Sequence, residues 1–278
     1  MNHGGDTNPE WQFDRNCLDP SYRAEGISAF MRLRDEEEFV EQAILSHLPF
    51  FDEIIAVHNR CTDSTPEILA KLEKLYPDKL KVYHYAPYVY PQGSKEHIAL
   101  PADSPHSLVN YYNYALSKTT RKIAVKLDGD HIAIPETLSP VVAELREKGT
   151  AHFMGFRGIN LARDMFGNAA VLEQRPLIGG GDIGFFTVGK DTYFIHHENF
   201  ELFNHKMPHR LCGTLFFHCK HLKRCKGFSN YDLDDNPDSR YHAQMEWVQQ
   251  HQATTPFADF AQAQGLTHIA LPESLLTR

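Results

Sequence analysis

Two carboxylates stand one residue apart in Lys126-Leu127-Asp128-Gly129-Asp130-His131, at the end of an apolar run. Carboxylates that close call for a cation. Oxygen ligands of this kind suit Mg²⁺ or Mn²⁺, which could bridge them to a diphosphate and stabilise the charge that grows on a leaving nucleotide. The intervening glycine lets the backbone turn tightly. Alone, such a string is more often a solvated turn than a site, because short motifs match by chance. A second chemical cluster is His218-Cys219-Lys220-His221-Leu222-Lys223-Arg224-Cys225-Lys226, a basic run in an otherwise acidic chain. It reads either as a patch that meets a diphosphate or as a solvated basic face that could touch anionic lipid. A third is Gly179-Gly180-Gly181-Asp182-Ile183-Gly184, which sets one acid in what reads as a flexible loop of close approach. Asp182 there is either functional or an Asx-turn residue bound to its own backbone.

The elements that must carry these residues alternate. A strand is expected at 26–33, followed by a helical pattern opened by the acidic residues 35–38, where the helix dipole favours negative charge. The apolar run 53–58 reads as a buried parallel strand, with a helix at 66–75 after a polar turn. A third strand at 79–85, a helix at 108–117 and a fourth strand at 122–127 complete the series. Strands alternating with helices imply an α/β fold, with a mainly parallel sheet and right-handed crossovers. Ligands of such sheets sit beyond the carboxyl ends of the strands, where both 59–65 and 128–131 fall. The long loop 86–104 reads either as a lid or as irregular surface. Beyond residue 149 the texture becomes β-like, at 151–160, 184–188 and 213–218, and an acceptor site could be built there. Helices are expected at 239–250 and 256–264, their aromatic residues Tyr241, Trp247, Phe257 and Phe260 serving as packing.

The chain has 278 residues and a formal charge of −8, from 28 Lys+Arg against 36 Asp+Glu. Such a surface repels polyphosphate overall, which excludes broad nucleic-acid binding and requires any phosphate to be met locally. Five cysteines at wide spacings, with no C-x-x-C pair, fit neither a disulfide framework nor a structural zinc module. No basic-then-apolar leader and no bilayer-length apolar stretch is present, so a cytoplasmic protein is expected, with peripheral contact at the inner face of the membrane as a further option.

The segment Val57-His58-Asn59-Arg60-Cys61-Thr62-Asp63-Ser64-Thr65 resembles the V-D-D-G-S-T-D-G-T segment of family 2 glycosyltransferases. Val57, Thr62, Asp63 and Thr65 match, and Asn59 is a near match; His58, Arg60, Cys61 and Ser64 depart from the pattern. Met31-Arg32-Leu33-Arg34-Asp35-Glu36 is similar to the R-N-E signature of the same enzymes, and Asp128-Gly129-Asp130 stands at the place of their D-x-D. The resemblance covers about residues 26–135.

It implies a GT-A fold, Rossmann-like, with helices on both faces of the sheet and a C-terminal α+β acceptor region. The organisation expected is an N-terminal extension over 1–25, a nucleotide-sugar-binding region over 26–148 and an acceptor-binding region over 149–278, in one continuous catalytic domain. It also implies a donor site of Met31, Arg32, Asn59, Asn113, Lys126, Asp128 and Lys220, with Asn59 at the nucleobase. Asn113 matches the asparagine of the family's A-R-N segment, and Asp63 is expected to cap the next helix or order the turn. The implied metal set is Asp128, Asp130 and His218, the last because a C-terminal histidine completes the metal shell in several GT-A enzymes and imidazole suits Mn²⁺. His197-Glu198-Asn199-Phe200-Glu201-Leu202 resembles the family's E-D-x-E-L, but Asn199 replaces the aspartate base. The base is then Asp182 or Glu198, unless the reaction retains configuration.

The activity implied is metal-dependent transfer of a sugar, from a UDP-linked donor by preference, to a glycan or glycolipid acceptor, as in surface polysaccharide or lipopolysaccharide synthesis. The alternatives are a sugar nucleotidyltransferase, which would want a glycine-rich basic loop after the first strand, and a non-catalytic nucleotide- or glycan-binding domain. The oligomeric state is left open.

Overall fold

The computed structural model describes residues 9–91, 94–197, 200–223 and 253–276. The first half consists of β1 (Ala24–Leu33), α1 (Val40–His47), β2 (Glu53–His58), α2 (Thr65–Leu75), β3 (Leu80–His84), α3 (Lys95–Ala99), α4 (Leu108–Ser117), β4 (Arg121–Leu127), β5 (His131–Ala133) and α5 (Pro135–Lys148). There follow β6 (Phe153–Arg163), β7 (Ala169–Leu172), β8 (Leu177–Thr187), β9 (Tyr193–His197), β10 (Phe200–Asn204), β11 (His209–His221), β12 (Thr254–Thr255), α6 (Phe257–Ala263) and α7 (Glu273–Leu276).

The large sheet runs β12-β7-β6-β8-β4-β1-β2-β3, with β11 beside β6 and β5 beside β11. Strands β4, β1, β2 and β3 are parallel, as is the β6–β11 pair. Strand β8 is antiparallel to both β4 and β6 and so joins the two halves. The chain winds from β1 outward to β3 and then returns to lay β4 on the other side of β1. The topological switch point, where open sheets of this class bind ligands, therefore lies between β1 and β4.

Side-chain alternation on β1 explains the two-sided core. Ile27, Ala29, Met31 and Leu33 enter one cluster with α1, α2 and α5, while Phe30 enters another with α4, β9 and β10. Helix α4 is apolar or aromatic around most of its circumference and is buried from Leu108 to Leu116, as a helix covered on all sides must be. The N-terminal residues contribute to the same layer: Trp11 packs edge-on to Tyr85 at 5.3 Å, and Leu18 is fully buried. A third cluster joins β6, β7 and β11 to α6 and α7.

Several expectations shift. The acidic residues 35–38 do not open a helix; they form a turn, and α1 begins at Val40. The glycine-rich stretch 179–184 is no loop but the middle of β8, paired with β6. Gly179 has φ 95, and a Cβ there would meet the Phe156 carbonyl oxygen at 2.6 Å, so close approach is its real constraint. Strands β9 and β10 pair antiparallel, an arrangement that local pattern does not reveal. Strand β11 extends well beyond the expected 213–218. The loop 86–104 carries α3, and both Val89 and His97 within it are buried. The helix expected at 239–250, with Tyr241 and Trp247, lies outside the described residues; the helix expected at 256–264 is α6. No helix among the described residues is long and apolar enough to cross a membrane.

Candidate functional site

The site is built where β1 and β4 end. Beyond Leu33 the chain turns through Asp35, which has φ 54, and is clasped by the loop after β2. The Thr62 amide donates to Asp35 Oδ1 (2.6 Å), the Glu36 amide to Thr65 Oγ1 (2.8 Å), the Glu37 amide to Asp63 Oδ2 (2.9 Å) and the Ser64 amide to Glu37 Oε2 (3.0 Å). Asp63 Oδ1 also accepts from the Thr65 amide at 2.9 Å, the turn-ordering role expected of it. The residues 62–65 thus hold the 35–37 turn in one shape, which aims Glu36 across the end of β1 towards β4.

Gly129 makes room for it. A Cβ at this position would lie 2.8 Å from both Glu36 Cγ and Leu33 Cδ2. Gly129 is not among the positive-φ glycines, so close approach and not a left-handed turn is what requires glycine here. Past Gly129, Asp130 is 5% exposed, and its Oδ2 lies 2.8 Å from Lys223 Nζ. The same ammonium lies 2.6 Å from Glu36 Oε2. Glu36 and Asp130 thus share one lysine, contributed by the chain just after β11. Burial disfavours both negative charges, but the Lys223 ammonium holds Asp130 below the usual carboxylate range. Burial, with Asp130 nearby, pushes Glu36 up.

The other oxygen of Asp130, Oδ1, is buried without a hydrogen-bond partner among the described residues and faces His218 Nε2 at 3.8 Å. The tautomer of His218 follows from its neighbours. Asn160 Nδ2 donates to the Arg175 carbonyl (2.7 Å), which turns Asn160 Oδ1 towards His218 Nδ1 at 2.6 Å. An amide oxygen can only accept, so Nδ1 carries the proton and Nε2 presents a bare lone pair. Burial holds His218 neutral, its pKa well below the ordinary value. Two buried lone pairs, one on a carboxylate and one on an imidazole, therefore face each other with no proton between them, an arrangement that a cation resolves. Asp130, His131 and His218 each offer an atom within 4.8 Å of the others. His131 serves differently, because the Asp128 amide donates to its Nδ1 (3.3 Å), which leaves a proton on Nε2, 3.6 Å from Asp128 Oδ2. A protonated ring nitrogen cannot ligate. Asp128 itself lies at the open side, its side chain 29% exposed. Burial acts against its charge, but Lys126 and His131 hold its pKa below the ordinary value.

The other anticipated residues divide. Arg32, on the face opposite Met31, lays its guanidinium 3.3 Å from the Tyr112 ring centroid, with Lys126 Nζ 5.1 Å above the same ring. Met31 points the other way, into the core under α1 and α2, and so lines no cleft. Asn59 is fully buried; its Nδ2 donates to the carbonyls of Tyr85 (2.6 Å) and Pro87 (2.7 Å), fixing the start of the long loop, and its Oδ1 has no partner among the described residues. Asn113 spends both ends on the Phe194 backbone, Oδ1 accepting at 2.7 Å and Nδ2 donating at 2.8 Å, so it braces β9 and is not free to bind a donor. Burial draws Lys220 down to about 7 although Asp130 opposes this. Asp182 lies on β8 and Glu198 lies outside the described residues. Sequence reasoning missed Glu36, His131, Asn160 and Lys223 as members of this constellation. Glu36, His131 and Lys223 at least stood within segments already singled out, whereas Asn160 gave no signal.

A family model described as β-1,4-N-acetylgalactosaminyltransferase (CgtA) matches residues 3–140, a segment that contains Asn59, Asp128 and Asp130 and all four parallel strands β1 to β4. Solved structures similar to this chain include the 1–349 fragment of TarS from S. aureus, at 19% identity over 51% of this chain and 36% of that one, with a TM-score of 0.32. Another is glucosyl-3-phosphoglycerate synthase from Mycobacterium tuberculosis in complex with Mn²⁺, UDP and phosphoglyceric acid, at 19% identity over 53% of this chain and 48% of that one, with a TM-score of 0.34. The chain thus covers about a third to a half of these solved chains. No curated protein matches.

Proposed function

We propose that this chain, a glycosyltransferase of the GT-A type by its family match and its fold, moves a sugar from a nucleotide-sugar donor, UDP-linked by preference, to a glycan or glycolipid acceptor with the help of Mn²⁺ or Mg²⁺. The observation that carries the metal-assisted reading is the pair of facing lone pairs, Asp130 Oδ1 and His218 Nε2, at the switch point between β1 and β4. A donor set of carboxylate and imidazole fits Mn²⁺ well and Mg²⁺ acceptably, and Asp130 and His218 would hold the ion, with Asp128 at the open side towards the donor. When bound, the ion neutralises charge on the departing diphosphate.

The remaining work falls to the chain's own groups. Lys126 and Lys220 add positive charge beside the diphosphate, where preorganised charge favours the transition state over the ground state. Asn59 spends its Nδ2 on two carbonyls, so all it can offer a nucleobase is its Oδ1, an acceptor for a donor such as the N–H of uracil. Arg32, fixed over Tyr112, places a permanent cation under the donor pocket. Asp182 and Glu198 are the candidates for taking the proton from the acceptor hydroxyl. Acceptor specificity, and with it a place in surface polysaccharide or lipopolysaccharide synthesis at the inner face of the membrane, would lie in the C-terminal half.

A thermal-shift series with UDP, GDP, CMP and dTDP, each with and without Mn²⁺, tests the reading, because a ligand of the folded state raises the melting temperature. UDP should give the largest shift, only with the metal, and Asp130→Asn should lose it. Shifts that ignore both the metal and Asp130→Asn would refute it.

A further inference from the structure

The ammonium of Lys223 lies 2.6 Å from Glu36 Oε2 and 2.8 Å from Asp130 Oδ2, with side-chain exposures of 4%, 3% and 7% for the three groups. It reaches this place from far along the chain, 187 residues beyond Glu36. Two buried carboxylates bridged by a single positive centre are what a second metal ion would find in a two-metal cleft, and here the centre is a lysine. Asp130 is thereby divided. One oxygen meets the ammonium, while the other, Oδ1, has no hydrogen-bond partner among the described residues and is directed at His218. We infer that Lys223 is a resident cation: it fills the position between Glu36 and Asp130, limits the chain to one divalent ion on the His218 side, and lowers the affinity for that ion.

The inference rests on the metal-assisted reading above and adds to it an ion count, a one-oxygen mode of Asp130 ligation and a positioning role for Lys223 and Glu36. The physical reason is that a fixed positive charge in contact with a ligand repels an incoming cation. The effect is large at short range where water is excluded. Without the ammonium, Glu36 and Asp130 would form an uncompensated buried pair, and a metal ion is the most direct way to neutralise it.

The experiment is titration of the purified chain with Mn²⁺ alone, without nucleotide, following free Mn²⁺ by electron paramagnetic resonance. The wild type should bind one ion. Lys223→Met, similar in length and uncharged, should bind Mn²⁺ about tenfold tighter or more, or take up a second ion. Lys223→Arg should behave as wild type. Glu36→Gln combined with Lys223→Met should return affinity towards the wild-type value. A wild type that binds two ions overturns the inference and needs no variant, so a misfolded Lys223→Met does not shelter it. A folded Lys223→Met whose Mn²⁺ affinity is unchanged or weaker overturns it as well, and points to a purely supporting role for the lysine. The two readings separate: tighter Mn²⁺ binding by Lys223→Met with no nucleotide shift would sink the donor reading alone, while a normal UDP–Mn²⁺ shift with weakened Lys223→Met would sink this inference alone.

Discussion

Gly129→Ala is the smallest change that tests how the site is assembled. An added Cβ would stand 2.8 Å from Glu36 Cγ, 2.8 Å from Leu33 Cδ2 and 3.0 Å from Glu36 Cδ. Carbon atoms pack at about 3.5–4.0 Å, so at least ~0.7 Å of movement is required. Leu33 is fully buried and Glu36 is 3% exposed, so neither can swing into solvent. Overpacking of this kind costs about 1–3 kcal/mol. The loss of unfolded-state freedom on replacing glycine returns about 0.4–1 kcal/mol. At the middle of both ranges the net expectation is about 1.3 kcal/mol, a fall of about 3–5 °C in melting temperature for a chain of this size. Glu36 should yield before Leu33, because moving it stretches an ion pair whereas moving Leu33 disrupts the sheet. Displacement of Glu36 disturbs Lys223 and, through it, Asp130, so Mn²⁺ affinity should change together with stability. In a Glu36→Ala background the two Glu36 contacts vanish and the penalty of Gly129→Ala should shrink, a coupling that a double-mutant cycle measures by urea unfolding. A Gly129→Ala variant with wild-type melting temperature and wild-type Mn²⁺ affinity would refute the close-approach reasoning.

Asn160→Leu removes the acceptor that sets the His218 tautomer, and should weaken Mn²⁺ binding by about 10–100-fold with the sheet intact, read by the same Mn²⁺ titration and by circular dichroism; unchanged affinity would mean that the tautomer is set elsewhere. Stability should fall with acid. Burial lowers His47 to about 4, as it sits in α1 with Nδ1 donating to the Ala43 carbonyl at 2.8 Å. Between its unfolded value near 6.5 and about 4 the unfolded chain binds a proton that the folded chain refuses, so stability is complete above about pH 6.5 and is lost as pH falls through that window. The loss reaches about 3 kcal/mol for this group. His47→Leu should flatten the melting-temperature curve below pH 6.5 relative to wild type, and parallel curves would show that His47 does not carry it.

What the chain's local order determined is the scaffold and one half of the site. Apolar runs at 53–58 and 122–127 read as buried strands, and once they lie parallel in one sheet the polar turns that follow them emerge together beyond the strand ends, because such strands all end on the same side. The Asp128-Gly129-Asp130 string and the 57–65 segment were legible for that reason. Their uses were less so. The 62–65 residues clasp the 35–37 turn, and Gly129 admits Glu36, facts that depend on which strand lies beside which. Asn113 looked like a pocket residue by motif, yet its amide is consumed by the Phe194 backbone 81 residues away. Asn160 and His218 meet across 58 residues because β11 runs parallel to β6, pairing these two positions in register. Lys223 reaches Asp130 because the same strand carries the chain back to the switch point, where Cys219 donates its amide to the Asp130 carbonyl at 3.0 Å. Periodicity and caps are short-range properties that residues express within one element. Hydrogen-bond partners, tautomers and shared charges are settled by sheet order and register, which only the whole folded chain decides.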